Sequence, residues 1–161
     1  MIVTFKEISQ NSKLWIFPSC RKFYPEELSK IKNNLEVFLT SWLHNSIPSK
    51  CAYQLKYGRF IIITVDDTEN NLSIEAHNLL IEFIQELEKS LKVILLDKIN
   101  VCYKQGEFVQ YKDLKDFKKM IKSKGVSQKT IVFNNLITIK GELKQNWEIN
   151  IMDSWLGHFL K

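Results

Sequence analysis

Two adjacent carboxylates, Asp66 and Asp67, end the run Arg59-Phe60-Ile61-Ile62-Ile63-Thr64-Val65. An apolar strand closed by a pair of acids is the shape of the Mg²⁺-holding half of a nucleotide site, in which the first acid holds the ion through water. Glu69 and Glu75 lie just downstream, and Asp66, Asp67 and Glu75 together could offer oxygen ligands to Mg²⁺ or Ca²⁺ if the loop folded back. The plainer account is a strand end with a solvated turn, because Asp side chains cap their own turns. Nucleotide hydrolysis also needs a glycine-rich phosphate loop, since only glycine amides approach the phosphates closely enough. The nearest string, Ser123 to Thr130, has Ser123 and Gln128 where the two glycines belong. It also follows a helical pattern instead of a strand. An Mg-dependent nucleotide-binding protein or hydrolase using Asp66 and Asp67 is therefore the alternative reading, not the first.

Other chemistry-bearing residues are scattered. His44, His77 and His158 have no zinc-ligand spacing, and His77 falls on the apolar stripe of a predicted helix, where a satisfied core histidine is expected. Lys56 to Ile63 superficially resembles the RNA-recognition strand, but its glycine is one place late and Ile63 stands where a base-stacking aromatic is required. Residues 112–124 carry six lysines against two aspartates, which reads as a solvated face that could also touch phosphates. Two aromatic groups stand out, Ser41-Trp42-Leu43-His44 and Asp153-Ser154-Trp155-Leu156-Gly157-His158-Phe159. The second is apolar for a terminus and is expected to dock on the domain or on a partner.

The chain has 161 residues, 45% hydrophobic, which suits one ordinary domain over 1–161 with a sizeable core. Its longest apolar runs are four residues, such as Phe60 to Ile63, against the ~20 that span a bilayer. No membrane span is expected. The first residues lack the basic and apolar regions of an export signal, and Cys20, Cys51 and Cys102 are odd in number and widely spaced, so a cytoplasmic location with buried thiols is expected. The net charge is +5, but 21 of the 23 basic residues are lysine, and residues with AT-rich codons outnumber those with GC-rich codons almost sixfold. Genome composition thus accounts for many lysines. Against that background Arg21 and Arg59 point to positions that use the planar guanidinium fork.

The elements that would position these groups follow from periodicity. Strands are predicted at 13–18, with an edge strand at 2–5, and at 51–57 and 59–65 as a hairpin through Gly58. Pro25-Glu26-Glu27 opens a helix that runs to about His44, and Ser73 caps another that ends near Lys92. A strand within 93–103 turns at Gln105-Gly106 into 108–111, a basic helix spans 113–124, and a short strand at 131–133, a short helix at 140–147 and a turn from Asp153 complete the chain. The central order βαββαβ predicts an α+β protein with a ferredoxin-like core and a mainly antiparallel sheet. Because the 60–65 run is apolar on both faces, a C-terminal helical and β extension, or a second subunit, should cover the second face.

Leu14-Trp15-Ile16-Phe17, Arg21-Lys22-Phe23, Ser41-Trp42-Leu43-His44, the run from Arg59 to Asp67, Val132-Phe133-Asn134-Asn135-Leu136 and Asp153-Ser154-Trp155 recur in one order. This series resembles a family of small bacterial proteins of unknown function commonly labelled "ABC transporter ATPase". The label implies nucleotide hydrolysis, yet the chain has neither a P-loop nor an L-S-G-G-Q signature. The family's S-G-C-S-I-D stretch is here Asn70-Asn71-Leu72-Ser73-Ile74-Glu75, which keeps a polar cap at Ser73 and an acid at Glu75.

The expectation from these residues is a cytoplasmic binding or accessory module acting without catalysis. Its site is expected to draw on Asp66, Asp67, Ser73, Glu75, Arg59, Arg21, Trp42 and His44, with Asp66 and Asp67 as the metal candidates. No cofactor is expected beyond Mg²⁺ in the alternative reading. A protein partner or a homo-oligomer and an RNA-associated basic protein are the remaining expectations.

Overall fold

The computed structural model describes residues 1–45, 50–69 and 71–160, without the side chains of 43–45. It is an α+β protein whose described residues form two antiparallel sheets and four α-helices. The first sheet has the order β1-β3-β2, from β1 (Lys13–Pro18), β2 (Cys51–Lys56) and β3 (Phe60–Val65). The central strand β3 is buried along its whole length, which is why five of its six residues are apolar, on both faces, and Thr64 is buried with them. Two helices, α1 (Pro25–Asn45) and α2 (Ile74–Leu91), cover one face. Ile31, Leu35 and Leu39 of α1 and Leu80, Ile84 and Leu87 of α2 meet Trp15, Ile61 and Ile63 there. Ser73 caps α2 as expected, its hydroxyl accepting from the Ala76 N–H at 3.1 Å.

The second sheet has the order β5-β4-β6-β7, built from β4 (Val101–Gln105), β5 (Phe108–Lys112), β6 (Ile131–Phe133) and β7 (Glu148–Asn150). Cys102 and Phe133 from this sheet pack on Leu14, Ile16, Phe60 and Ile62, the second face of the first. Its outer face carries α3 (Leu114–Lys122) and the C-terminal 3-10 turns, where Phe117, Ile151 and Leu156 close a third apolar cluster around Val101 and Val132. A short α4 (Leu143–Asn146) leads into β7. The layers are thus helices, sheet, sheet, helix.

β1 and β2 are connected through α1, and β3 lies between them, antiparallel to both. The strand after α2, expected to join them beside β1, stands instead in the second sheet. Local hydrogen bonding explains this. The Glu88 carboxylate accepts from the N–H groups of Leu95 and Leu96 at 2.7 and 3.1 Å, and Asp97 accepts from Ile99 and Asn100. Those side chains take donors that a strand over 93–100 would have used, so the strand starts only at Val101. The free edge of β1 is closed by short contacts, Cys20 with Ile94 at one end and Leu14 N–H to the Thr138 carbonyl at the other. The expected edge strand at 2–5 is reduced to a single bridge, Ile2 to Cys51.

Candidate ligand-binding site

Strand β2 alternates two kinds of residue. Cys51, Tyr53 and Leu55 face the helices, whereas Gln54 and Lys56 lie opposite Ile62 and Phe60 and so point to the side of the second sheet. On the neighbouring strands that side is apolar and covered. At the edge strand β2 it opens instead into a cavity of about 300 Å³. Three lysines line it, Lys56, Lys140 and Lys144, together with Phe5, Leu143 and Trp147.

Lys140 is the unusual member. It is only 6% exposed, and its ammonium donates to the Ile8 carbonyl at 2.7 Å and sits 5.1 Å from the centre of the Phe5 ring. An ammonium has three donors, and no carboxylate among the described residues lies within ion-pair distance of this one. Burial pulls its pKa below the ordinary lysine value. It is held there by the 3-10 turn Lys140–Glu142, whose Lys140 and Gly141 amides donate to the Ser12 and Gln10 carbonyls at 2.9 and 2.8 Å. A side chain at Gly141 would bring a carbon to 3.1 Å from the Gln10 carbonyl oxygen, so any other residue there would require the Gln10 backbone to give by a few tenths of an ångström.

The cavity's one carboxylate, Glu148, is already engaged, by Lys104 in an ion pair and by the Tyr57 hydroxyl at 2.8 Å. Trp147, 3% exposed, is oriented by its Nε1–H donating to Asn135 Oδ1 at 2.9 Å, and it packs on Phe60 and Phe133. The amides of Gln10 and Gln54 line the cavity, and neither side chain hydrogen-bonds to another described residue. Cation surplus, apolar wall and unengaged amides therefore converge at one place.

The residues singled out from sequence do not gather there, nor do they gather together. Arg59 and Asp66 sit at opposite ends of β3, seven residues or about 23 Å apart at ~3.3 Å per residue. At the Asp66 end, Asp66 Oδ1 accepts from both the hydroxyl and the amide of Thr68 at 2.6 and 3.1 Å, and these bonds hold its pKa below the usual carboxylate value. Its role is that of a turn cap, with Asp67 partly buried beside it. Among the described residues no three His, Cys, Asp or Glu side chains converge as metal ligands. Ser73 is spent on capping α2, and Glu75 is exposed in its first turn. Trp42 is a core residue, its Nε1–H donating to the Ala76 carbonyl at 2.9 Å. The side chain of His44 lies outside the described residues.

At the other end, Arg21 does use its fork, but structurally. It pairs with both oxygens of Glu27 at 2.8 and 2.9 Å and reaches the Leu91 carbonyl at 2.9 Å, tying α1 to the end of α2. Arg59 is 9% exposed, and its guanidinium donates only to the Ser19 carbonyl, at 3.4 Å. Burial lowers its pKa from the ordinary arginine value. His77 packs at 6.0 Å from Trp15, and its buried Nδ1 has no hydrogen-bond partner among the described residues.

Sequence inspection passes over Lys140, Lys56 and Lys144 because lysine is abundant throughout. The signal present was parity, since Gln54 and Lys56 share a face with residues that neighbour an apolar core. Compared with known family models, curated proteins and solved structures, the chain matches none.

Proposed function

We propose that this protein is a binding module for a small anion, received in the cavity beneath β2. The observation that carries the reading is Lys140, a buried ammonium with spare donors and no ion-pair partner among the described residues, lining a cavity with two further lysines. Burying a cation costs free energy unless something compensates it, and a bound anion supplies that compensation. The β1-β3-β2 sheet, read as a truncated ferredoxin-like sheet, supplies the rigid platform. Titration calorimetry at low salt with inorganic phosphate and pyrophosphate tests it. Saturable binding is expected, abolished in Lys140→Met with the fold retained by circular dichroism. No heat with either anion would refute the reading.

A second reading, association with RNA, is favoured by a separate feature. Lys115, Lys118, Lys119 and Lys122 recur at helical spacing along one side of α3, opposite buried Phe117. Affinity for single-stranded RNA falling steeply with salt, and falling further in a double Lys118→Gln, Lys122→Gln variant, is its expected outcome.

A further inference from the structure

We infer that the anion taken by the Lys140 cavity is a phosphate monoester carried on a flat aromatic ring, the chemistry of a nucleoside monophosphate or an aryl phosphate. The inference rests on the anion reading above and adds the class of ligand to it.

Charge selects the phosphate. Three lysines line the cavity, and its single carboxylate, Glu148, is held by Lys104 and Tyr57 and so does not neutralise them. A phosphate monoester carries nearly two negative charges at neutral pH and three acceptor oxygens, enough to engage every lysine. A lone carboxylate has one charge and two oxygens and leaves more of the cationic charge unmatched.

The walls select the ring. Phe5, Leu143 and Trp147 give the cavity an apolar side beside its cationic one. The Phe5 ring already carries the Lys140 ammonium, which shows that the aromatic and cationic sides meet within one cavity. A flat ring attached to a phosphate can therefore reach both at once. The amides of Gln10 and Gln54 each offer a donor and an acceptor to ring heteroatoms. The volume of about 300 Å³ is at the small end of ligand cavities and accommodates one ring system and one phosphate.

The test is calorimetry on the full chain at low salt with inorganic phosphate, ribose 5-phosphate, AMP, adenosine and 4-nitrophenyl phosphate. AMP or 4-nitrophenyl phosphate is expected to bind at least about 10-fold more tightly than ribose 5-phosphate, the gain that ring stacking on an aromatic wall provides. The tighter of the two identifies whether the source is a nucleoside or a simple aryl phosphate. Phe5→Leu is expected to weaken AMP and 4-nitrophenyl phosphate by a larger factor than inorganic phosphate, removing the ring's advantage. Lys140→Met is expected to abolish binding of every phosphate, and Lys144→Ala, on an exposed side chain, to weaken all of them without disturbing the fold. Equal affinity for inorganic phosphate, ribose 5-phosphate, AMP and 4-nitrophenyl phosphate would overturn the ring inference and leave the anion module standing. Adenosine binding as tightly as AMP would overturn the phosphate. Failure of every phosphate to bind would remove the anion reading itself.

Discussion

Replacing Arg59 by methionine is expected to stabilise this protein. Arg59 is 9% exposed, has no carboxylate within ion-pair distance among the described residues, and its guanidinium makes a single hydrogen bond, 3.4 Å to the Ser19 carbonyl. The other groups that act on its charge are the Cys102 and Cys20 thiols. Holding a guanidinium in such surroundings carries an effective desolvation penalty of several kcal/mol, of which one long bond returns less than about 1.5 kcal/mol. Methionine keeps most of the apolar stem and removes the charge. Allowing for the residual solvent contact and for imperfect repacking, the net gain is about 1–2 kcal/mol, or about 3–6 °C in Tm for a chain of this length. Equilibrium urea unfolding followed by far-UV circular dichroism at pH 7 measures it, with m expected to stay constant. Arg59→Lys is expected to destabilise, because a lysine ammonium is more strongly hydrated and has no planar fork to share its charge. A loss of 1 kcal/mol or more in Arg59→Met would refute the reasoning, since the guanidinium would then be repaid by contacts stronger than its one long bond.

The Arg21–Glu27 pair predicts an acid-dependent loss of stability. The hydrogen bonds from Arg21 hold Glu27 down from 4.5 to about 2. A depressed carboxylate contributes stability above its unfolded value, so the contribution is complete above about pH 4.5 and disappears as pH falls toward about 2. Because the Arg21 side chain is 33% exposed, the contribution is discounted to about 1 kcal/mol; Glu27→Gln should lose that much at pH 7, and the gap to wild type should shrink when urea unfolding is repeated near pH 3. The thiols should separate by access. Burial pushes Cys51 up to about 11 and Cys102 up to about 12, whereas Cys20 is half-buried, its sulfur accepting from the Ile94 N–H. A chromogenic disulfide at pH 8 should therefore titrate Cys20 first in the native protein and all three thiols in denaturant; rapid native labelling of Cys102 would contradict the packing of the two sheets.

Much of the local structure was legible before folding. Helical spacing of Leu28, Ile31, Leu35 and Leu39 requires α1, Ser73 requires the start of α2, and the unbroken apolar run of β3 requires cover on both faces. These are short-range or parity arguments, and backbone geometry alone enforces them. The fate of 93–100 was less legible. Its Val, Ile and Leu content suits a strand, but whether its N–H groups meet a neighbouring strand or the Glu88 carboxylate depends on where α2 ends in space.

The candidate site divides the same way. Sequence by itself determined that Asp66 and Asp67 close a buried strand, that no phosphate loop accompanies them, and that Arg21 and Arg59 are exceptional among the basic residues. It could not determine that the strand separates Arg59 from Asp66 by its full length, because distance along a chain becomes distance in space only once β3 is known to run straight between them. Nor could it single out Lys140 among 21 lysines. What distinguishes that residue is burial beside Phe5, a property supplied by the chain returning, 132 positions on, to the Ile8 carbonyl. The residue type carried the charge, and only the tertiary structure removed the water that made the charge ordinary.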